Sequence, residues 1–283
     1  MKVLDGKLLS SKIKDEVKAS CESYYKTPIL SVITVGHDPA SEVYVNNKRK
    51  ACEYVGMSML HVFFEDGTKE EKIIKKIKEL NKDKNVNGII IQLPLPKGYD
   101  ENKLINVIDP EKDVDGLTYY SQGKLLNGAD TFVPCTPKGI LEIFDHYKIN
   151  LEGKHVVVVG RSNLVSKPIM LECLKRNATI SMCHSKTKAL SDYTKTADVL
   201  IVAVGKKFLI NKDMIKEGCV IIDVGINRED GKIYGDVNPD VNEKASFVTP
   251  VPGGVGPMTV AMLLKNTMIA YINQNKEEKG PTE

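Results

Sequence analysis

Forty lysines and arginines stand against 37 aspartates and glutamates, so the 283-residue chain carries a net charge of only +3. A dedicated nucleic-acid binder concentrates more basic charge on one face, and nucleic acid is not an expected partner. Purely apolar runs such as Val156–Val159 fall far short of the roughly 20 residues that span a bilayer, so no membrane partner is expected. The opening Met1-Lys2-Val3-Leu4-Asp5-Gly6-Lys7 has no apolar signal core, which sets the expectation of a soluble, cytoplasmic protein. Six cysteines (Cys21, Cys52, Cys135, Cys173, Cys183 and Cys219) include no C-x-x-C pair, so neither a disulfide framework nor a zinc site is expected. They read as buried, reduced small hydrophobes. H-E-x-x-H, G-x-S-x-G and G-x-x-x-x-G-K-[ST] are missing too, which excludes zinc hydrolases, α/β-hydrolases and P-loop NTPases.

With 42% apolar and 27% charged residues, the chain has ordinary globular composition, and its length suits two domains. No internal repeat interrupts an alternation of helix and strand. Leu9, Ile13, Val17, Cys21 and Tyr24 recur at helical spacing. Ile29–Val35 reads as a strand, Ser41 as the cap of a second helix through Tyr44 and Lys48 to Gly56, and Met59–Phe64 as a strand. Thr68-Lys69-Glu70-Glu71 reads as a capping box before a third helix, and Gly88–Leu93 as a buried strand. Asp109–Val133 breaks the rhythm and reads as a long functional loop. Beyond the helix opened by Thr136-Pro137 come strands His155–Val159, Thr179–Cys183, Val199–Val204 and Val220–Asp223, with helices between them. A hairpin turning at Asp230-Gly231, a glycine–proline loop Pro250–Pro257, a helix Met258–Asn275 and a charged tail Lys276–Glu283 complete the chain. Repeated β–α–β units imply parallel sheets covered by helices. The domain boundary is expected near Thr136, with the last helix returning to the first domain.

Four constellations can carry chemistry. Gly160-Arg161-Ser162 follows an apolar strand and precedes a helix, where a glycine and free N–H groups suit a pyrophosphate; a plain β–α turn has the same pattern. The next strand tip, His184-Ser185-Lys186-Thr187, lacks the acid that holds an NAD ribose. Its hydroxyl and cationic groups, with Arg161, suit a 2′-phosphate, so NADP is the expected cofactor. Tyr44 and Lys48, four apart, share a helix face; Lys48 can be a general base, or one of a solvated basic run Lys48-Arg49-Lys50. Gln92-Leu93-Pro94-Leu95-Pro96 ends a strand, and Asp113-Val114-Asp115-Gly116 offers a carboxylate for an aminopyrimidinone edge or merely a turn cap. The glycines of Pro250–Pro257 exceed what a linker needs and suggest close ligand contact.

Tyr44-Val45-x-x-Lys48, Gln92–Pro96, Pro110-x-Lys112-Asp113-Val114-Asp115-Gly116, Gly160-Arg161-Ser162, His184–Thr187, Asp223-Val224-Gly225-Ile226-Asn227 and Pro250–Thr259 occur in one order across most of the chain. Together they resemble the bifunctional methylenetetrahydrofolate dehydrogenase/methenyltetrahydrofolate cyclohydrolase family. One departure is Ser166, where the family usually has glycine. The resemblance implies two α/β domains with a folate cleft between them. These are an N-terminal three-layer catalytic domain (1–136, with helix 258–275 returning to it) and a Rossmann-type NADP-binding domain (137–257). It implies oxidation of 5,10-methylenetetrahydrofolate with NADP, then hydrolysis to 10-formyltetrahydrofolate, in one-carbon metabolism and purine biosynthesis. Lys48, Gln92 and Asp115 are the implied catalytic residues. Tyr44, Pro252, Gly253 and Gly254 would join them around the folate. Gly160, Arg161, Ser162, Ser185 and Ile226 would bind the cofactor. No metal is expected, nor a fused synthetase domain, and a homodimer through the NADP-binding domain is implied. Two alternatives stay open: a dehydrogenase without cyclohydrolase activity, and a non-catalytic nucleotide-sensing Rossmann protein.

Overall fold

The computed structural model describes residues 1–275; the charged tail expected at 276–283 lies outside them. Contacts divide the chain into two compact units. The first joins Met1–Ser10 to Thr136–Thr259, and the second joins Ser11–Cys135 to the chain from Val260 onward.

The chain opens with β1 (Lys2–Val3) and α1 (Gly6–Glu22). In the second unit β2 (Ile29–Val35), α2 (Pro39–Val55), β3 (Ser58–Phe64), α3 (Glu70–Lys82) and β4 (Val86–Ile91) build a parallel sheet in the order β3-β2-β4. Every residue of β4 is buried, as a near-continuous apolar run in a covered parallel sheet should be. Its one polar side chain, Asn87, accepts from Ile29 N at 2.9 Å. Ile73, Ile77 and Leu80 bury one face of α3 against Ile33, Ile89 and Ile91.

Two helix starts differ from the expectation. Asp38, not Ser41, caps α2: its carboxylate accepts from Ser41 N, with Pro39 in the first turn. Gly56 ends that helix in the left-handed region at φ 78, where glycine is favoured. The capping box at Thr68 does not form. Thr68 Oγ1 donates to Glu65 O instead, and Glu70 binds Asp100 N and Lys103 Nζ.

Segment 109–133 is not an irregular loop throughout. A short α4 (Glu101–Ile105) leads into it, and α5 (Tyr119–Leu126) lies inside it, capped by Thr118. Buried Lys112 donates from Nζ to Leu80 O at 2.9 Å and Asp83 O at 2.7 Å, meeting the open carbonyls at the end of α3. Ile89 N donates to Lys112 O at 2.8 Å, so the segment lies along β4.

The first unit continues with α6 (Cys135–His146), β5 (His155–Val159), α7 (Ser166–Lys175), β6 (Thr179–Cys183), α8 (Leu190–Thr194), β7 (Val199–Val202) and β8 (Val220–Asp223). The hairpin β9 (Asn227–Glu229) and β10 (Lys232–Tyr234) follows, then β11 (Phe247–Val248). Six strands form a parallel sheet in the order β1-β11-β8-β7-β5-β6. The pairing of Lys2 with Phe247 and Val3 with Val248 accounts for Met1–Ser10 lying in this unit, apart from residues 11–135. The last helix, α9 (Val255–Gln274), passes from one unit to the other. It is long and apolar enough to cross a membrane, yet 61% of that window is buried within the protein, the pattern of a core helix.

Candidate active site

In the second unit the structure brings three of the expected residues together. Lys48 projects from α2, one turn beyond half-buried Tyr44. Its Nζ donates to Gln92 Oε1 at 2.8 Å. Gln92 follows β4, and its Nε2 donates to Leu93 O at 2.8 Å while its backbone N–H donates to Ile33 O at 2.8 Å. With Nε2 committed to a carbonyl, the amide oxygen must face the lysine.

Lys48 is half-buried, whereas Lys50 in the same basic run is exposed. Burial holds its amine below the ordinary lysine range, and the Asp115 carboxylate opposes that shift most. For Asp115, burial pushes the carboxyl above the usual aspartate range, against Lys48 and the hydrogen bonds from Cys135. Each group is thus moved toward its neutral form by lost solvation, and each restrains the other. An amine whose charged form is destabilised gives up and takes back a proton more readily than an ordinary lysine.

The two aspartates divide the readings that spacing left open. Asp113 is the turn cap: it accepts from Leu117 N at 3.1 Å, Thr118 N at 2.9 Å and Ser121 Oγ at 2.7 Å. Asp115 is the carboxylate whose charge acts most on Lys48. Cys135, which sequence reasoning treated only as a buried hydrophobe, bonds Asp115 through its thiol and its backbone N–H. Nothing in its spacing could have signalled this.

The cofactor candidates lie in the first unit, at the carboxyl ends of neighbouring strands. β5 sits between β6 and β7, so the chain leaves it in opposite directions, and such reversal points are where open α/β sheets bind ligands. Gly160 follows β5 with φ +138, and a Cβ there would lie 2.5 Å from Ser166 Oγ and 2.6 Å from Ala203 O. Ser166, the departure from the family pattern, therefore tightens the need for glycine at 160. Arg161 and Ser162 are exposed. Ser162 Oγ accepts from Val165 N at 3.1 Å and Ser166 N at 3.3 Å, so it helps start α7 as well as facing solvent. Past β6, Ser185 and Lys186 are exposed, in a turn held by His184 N donating to Thr187 Oγ1 at 2.9 Å. Ile226, beyond β8, is 44% exposed.

Two buried carboxylates to which the sequence assigned no role organise these loops. Asp236 accepts from Val204 N, Gly205 N and Lys206 N at 2.8, 3.0 and 2.7 Å, and from Asn227 Nδ2 at 2.9 Å. Asp223 accepts from Gly225 N, Asp236 N and Val237 N, each at 3.0 Å. Burial pushes the Asp223 carboxyl up to about 6, against those hydrogen bonds.

The glycine–proline loop has a packing explanation beside the ligand one. Gly253 O accepts from Lys7 N at 2.8 Å. A Cβ on Gly254 would lie 2.6 Å from Pro250 O. Pro252 is exposed and Gly253 half-buried, leaving those two turned toward solvent.

Comparison with known proteins bears on both units. A family model described as tetrahydrofolate dehydrogenase/cyclohydrolase, catalytic domain, matches residues 4–115. Another, described as the NAD(P)-binding domain of the same family, matches residues 134–275. The bifunctional protein FolD of Nautilia profundicola is 52% identical over 285 residues, covering 99% of this chain and 100% of its own. The crystal structure of the bifunctional enzyme FolD from Campylobacter jejuni superposes with a TM-score of 0.95 at 46% identity, over 96% of this chain and 99% of its own. FolD of Trypanosoma brucei, solved with NADP cofactor and an inhibitor, gives a TM-score of 0.91 at 31% identity over 98% of each chain.

Proposed function

The chain belongs to the tetrahydrofolate dehydrogenase/cyclohydrolase family, and from that premise we propose how its own residues do the work. The protein oxidises 5,10-methylenetetrahydrofolate to 5,10-methenyltetrahydrofolate with NADP and hydrolyses the product to 10-formyltetrahydrofolate. The observation that carries the assignment of roles is Lys48 held against Gln92 and under the influence of the Asp115 charge, in the unit that matches the catalytic domain.

The first unit fits the dinucleotide on its own evidence. Gly160 has no room for a side chain, Arg161, Ser185 and Lys186 are exposed at adjacent strand ends, and no carboxylate ends β6. Gly160, Arg161, Ser162, Ser185 and Ile226 would hold NADP, with Arg161 and Ser185 on the 2′-phosphate. When bound, NADP would supply the acceptor for a hydride from the folate methylene carbon. Tyr44 packs over the folate rings, and Asp115 pairs with the aminopyrimidinone edge of the pterin. As the methylene carbon becomes a cationic amidinium, a neutral Lys48 amine is tolerated where an ammonium would repel it. In the hydrolysis, Lys48 Nζ takes a proton from the water that attacks the methenyl carbon, while Gln92 fixes the direction of the amine. Pro252, Gly253 and Gly254 are assigned to the folate by family resemblance alone.

The resemblance also supports a homodimer through the NADP-binding unit, a cytoplasmic location and a role in purine biosynthesis. The test of the main reading is one assay. Purified protein with methylenetetrahydrofolate and NADP should raise NADPH absorbance, with methenyl absorbance failing to accumulate in proportion. NADPH formed with stoichiometric methenyl product would mean a dehydrogenase alone, and no NADPH would defeat the reading. Sedimentation at micromolar concentration tests the dimer.

A further inference from the structure

Asn266 lies on α9 among Met262, Leu263 and Leu264 and is itself 0% exposed. A polar amide there needs partners, and it has them in two separate backbone segments. Its Nδ2 donates to Val114 O at 2.8 Å and to Val133 O at 3.3 Å, and lies 3.8 Å from Cys135 Sγ. Val114 immediately precedes Asp115, and Val133 lies two residues before Cys135.

These two segments are packed with little slack. A Cβ on Gly116 would lie 2.2 Å from Phe132 O, and Cys135 Sγ is 3.5 Å from Val114 O. On the opposite side, a Cβ on Gly88 of β4 would lie 2.9 Å from both Val114 methyls and 3.3 Å from Thr267 Oγ1. Val114 is therefore clamped between β4 and α9. Cys135, at the end of the second segment, supplies hydrogen bonds to the Asp115 carboxylate. A single side-chain amide thus ties the residue before Asp115 to the segment that holds its carboxylate. Loss of that amide would leave two carbonyls competing for fewer donors, and the segments would shift to satisfy them.

We infer that Asn266 is a positioning residue for the folate half of the reaction, setting where Asp115 presents its carboxylate. The inference rests on Asp115 being the folate anchor, as proposed above. Its test uses Asn266→Ala and the milder Asn266→Ser, assayed well below their melting temperatures. In both, KM for methylenetetrahydrofolate should rise about ten- to a hundred-fold, the span of one misplaced hydrogen bond to a charged group. The NADP dissociation constant should stay at the wild-type value. Combined with Asp115→Asn, either change should cost much less than it does alone, because both act through one contact. Cys135→Ala breaks the same chain of contacts one link nearer Asp115 and should raise the folate KM as well, whether or not the Asn266 variants fold. A lowered melting temperature with folate KM unmoved would reduce Asn266 to a packing role and overturn the inference. Full additivity with Asp115→Asn, or a Cys135→Ala variant of unchanged KM, would overturn it equally. Wild-type protein inactive on folate would remove the functional reading itself, a different failure from an active wild type with unmoved variants.

Discussion

Lys48 and Lys50 have the same side chain two positions apart, and only the fold separates them. Lys48 is half-buried against Gln92, while Lys50 is exposed. If Lys48 is the base for water attack, Lys48→Met should lower cyclohydrolase activity about 10²–10⁴-fold, the usual worth of a positioned general base. Dehydrogenase activity should fall less, since hydride transfer depends mainly on holding two carbons together. The melting temperature should hold or rise, because an apolar chain of similar length replaces a desolvated amine. Steady-state assays of both half-reactions with a melting curve check all three, and near-normal hydrolysis would return Lys48 to a solvated basic face. Arg161 offers the cleaner cofactor test. Arg161→Ala should weaken NADP binding by about 1.5–3 kcal/mol, one charge-assisted contact, and NAD binding far less. Equal losses for the two dinucleotides, measured by titration, would show that Arg161 does not read the 2′-phosphate.

The loops at the carboxyl ends of β7 and β8 are held by hydrogen bonds to Asp236 and Asp223. Because burial raises the Asp223 carboxyl to about 6 from an ordinary value of 3.8, the folded chain binds this proton more tightly than the unfolded chain. Its contribution to stability is complete below the unfolded value and is lost as pH rises through about 6. Asp223→Asn removes that slope. The melting temperature of the variant minus that of wild type should therefore increase between pH 4 and pH 6. Melting curves across that range decide it; a constant difference would mean that Asp223 titrates at its ordinary value. The helix starts teach the same lesson from the other direction. Ser41 and Thr68 have the right residue type for a cap, but Asp38 lies three residues before the N–H it accepts, and Thr68 is drawn off by Glu65 O.

Over the whole chain, Tyr44, Lys48, Gln92 and Asp115 belong to one compact unit, whereas the proposed dinucleotide residues, and Pro252, Gly253 and Gly254 among the proposed folate residues, belong to the other. Asp115→Ala should therefore weaken folate binding and depress both activities while leaving NADP affinity nearly intact. It should also move the Lys48 amine further below the ordinary lysine range, since Asp115 is the main group opposing that shift. Calorimetry with each ligand separately is the check. Unchanged folate affinity would return Asp115 to the role of a turn residue, and parallel loss of NADP would mean that the change had damaged the fold.

Much of this protein was legible without coordinates. Alternating apolar runs and helical spacings determined two parallel α/β units, because periodicity records which faces are buried. Gly160 and Gln92 stood out because they follow strands, where ligands bind in such sheets, Lys48 because it shares a helix face with Tyr44, and Asp115 because its motif joins theirs in the family resemblance. Local pattern could not tell a turn cap from the proposed folate carboxylate in Asp113-Val114-Asp115, since both are acids two positions apart; the donors around Asp113 made that choice. Nor could it place Met1–Ser10, whose two-residue strand gains its meaning only beside Phe247 and Val248. Asp236, Cys135 and Asn266 stayed hidden for the same reason. Their partners lie up to 152 residues away, and a hydrogen bond across that separation exists only once the chain has folded.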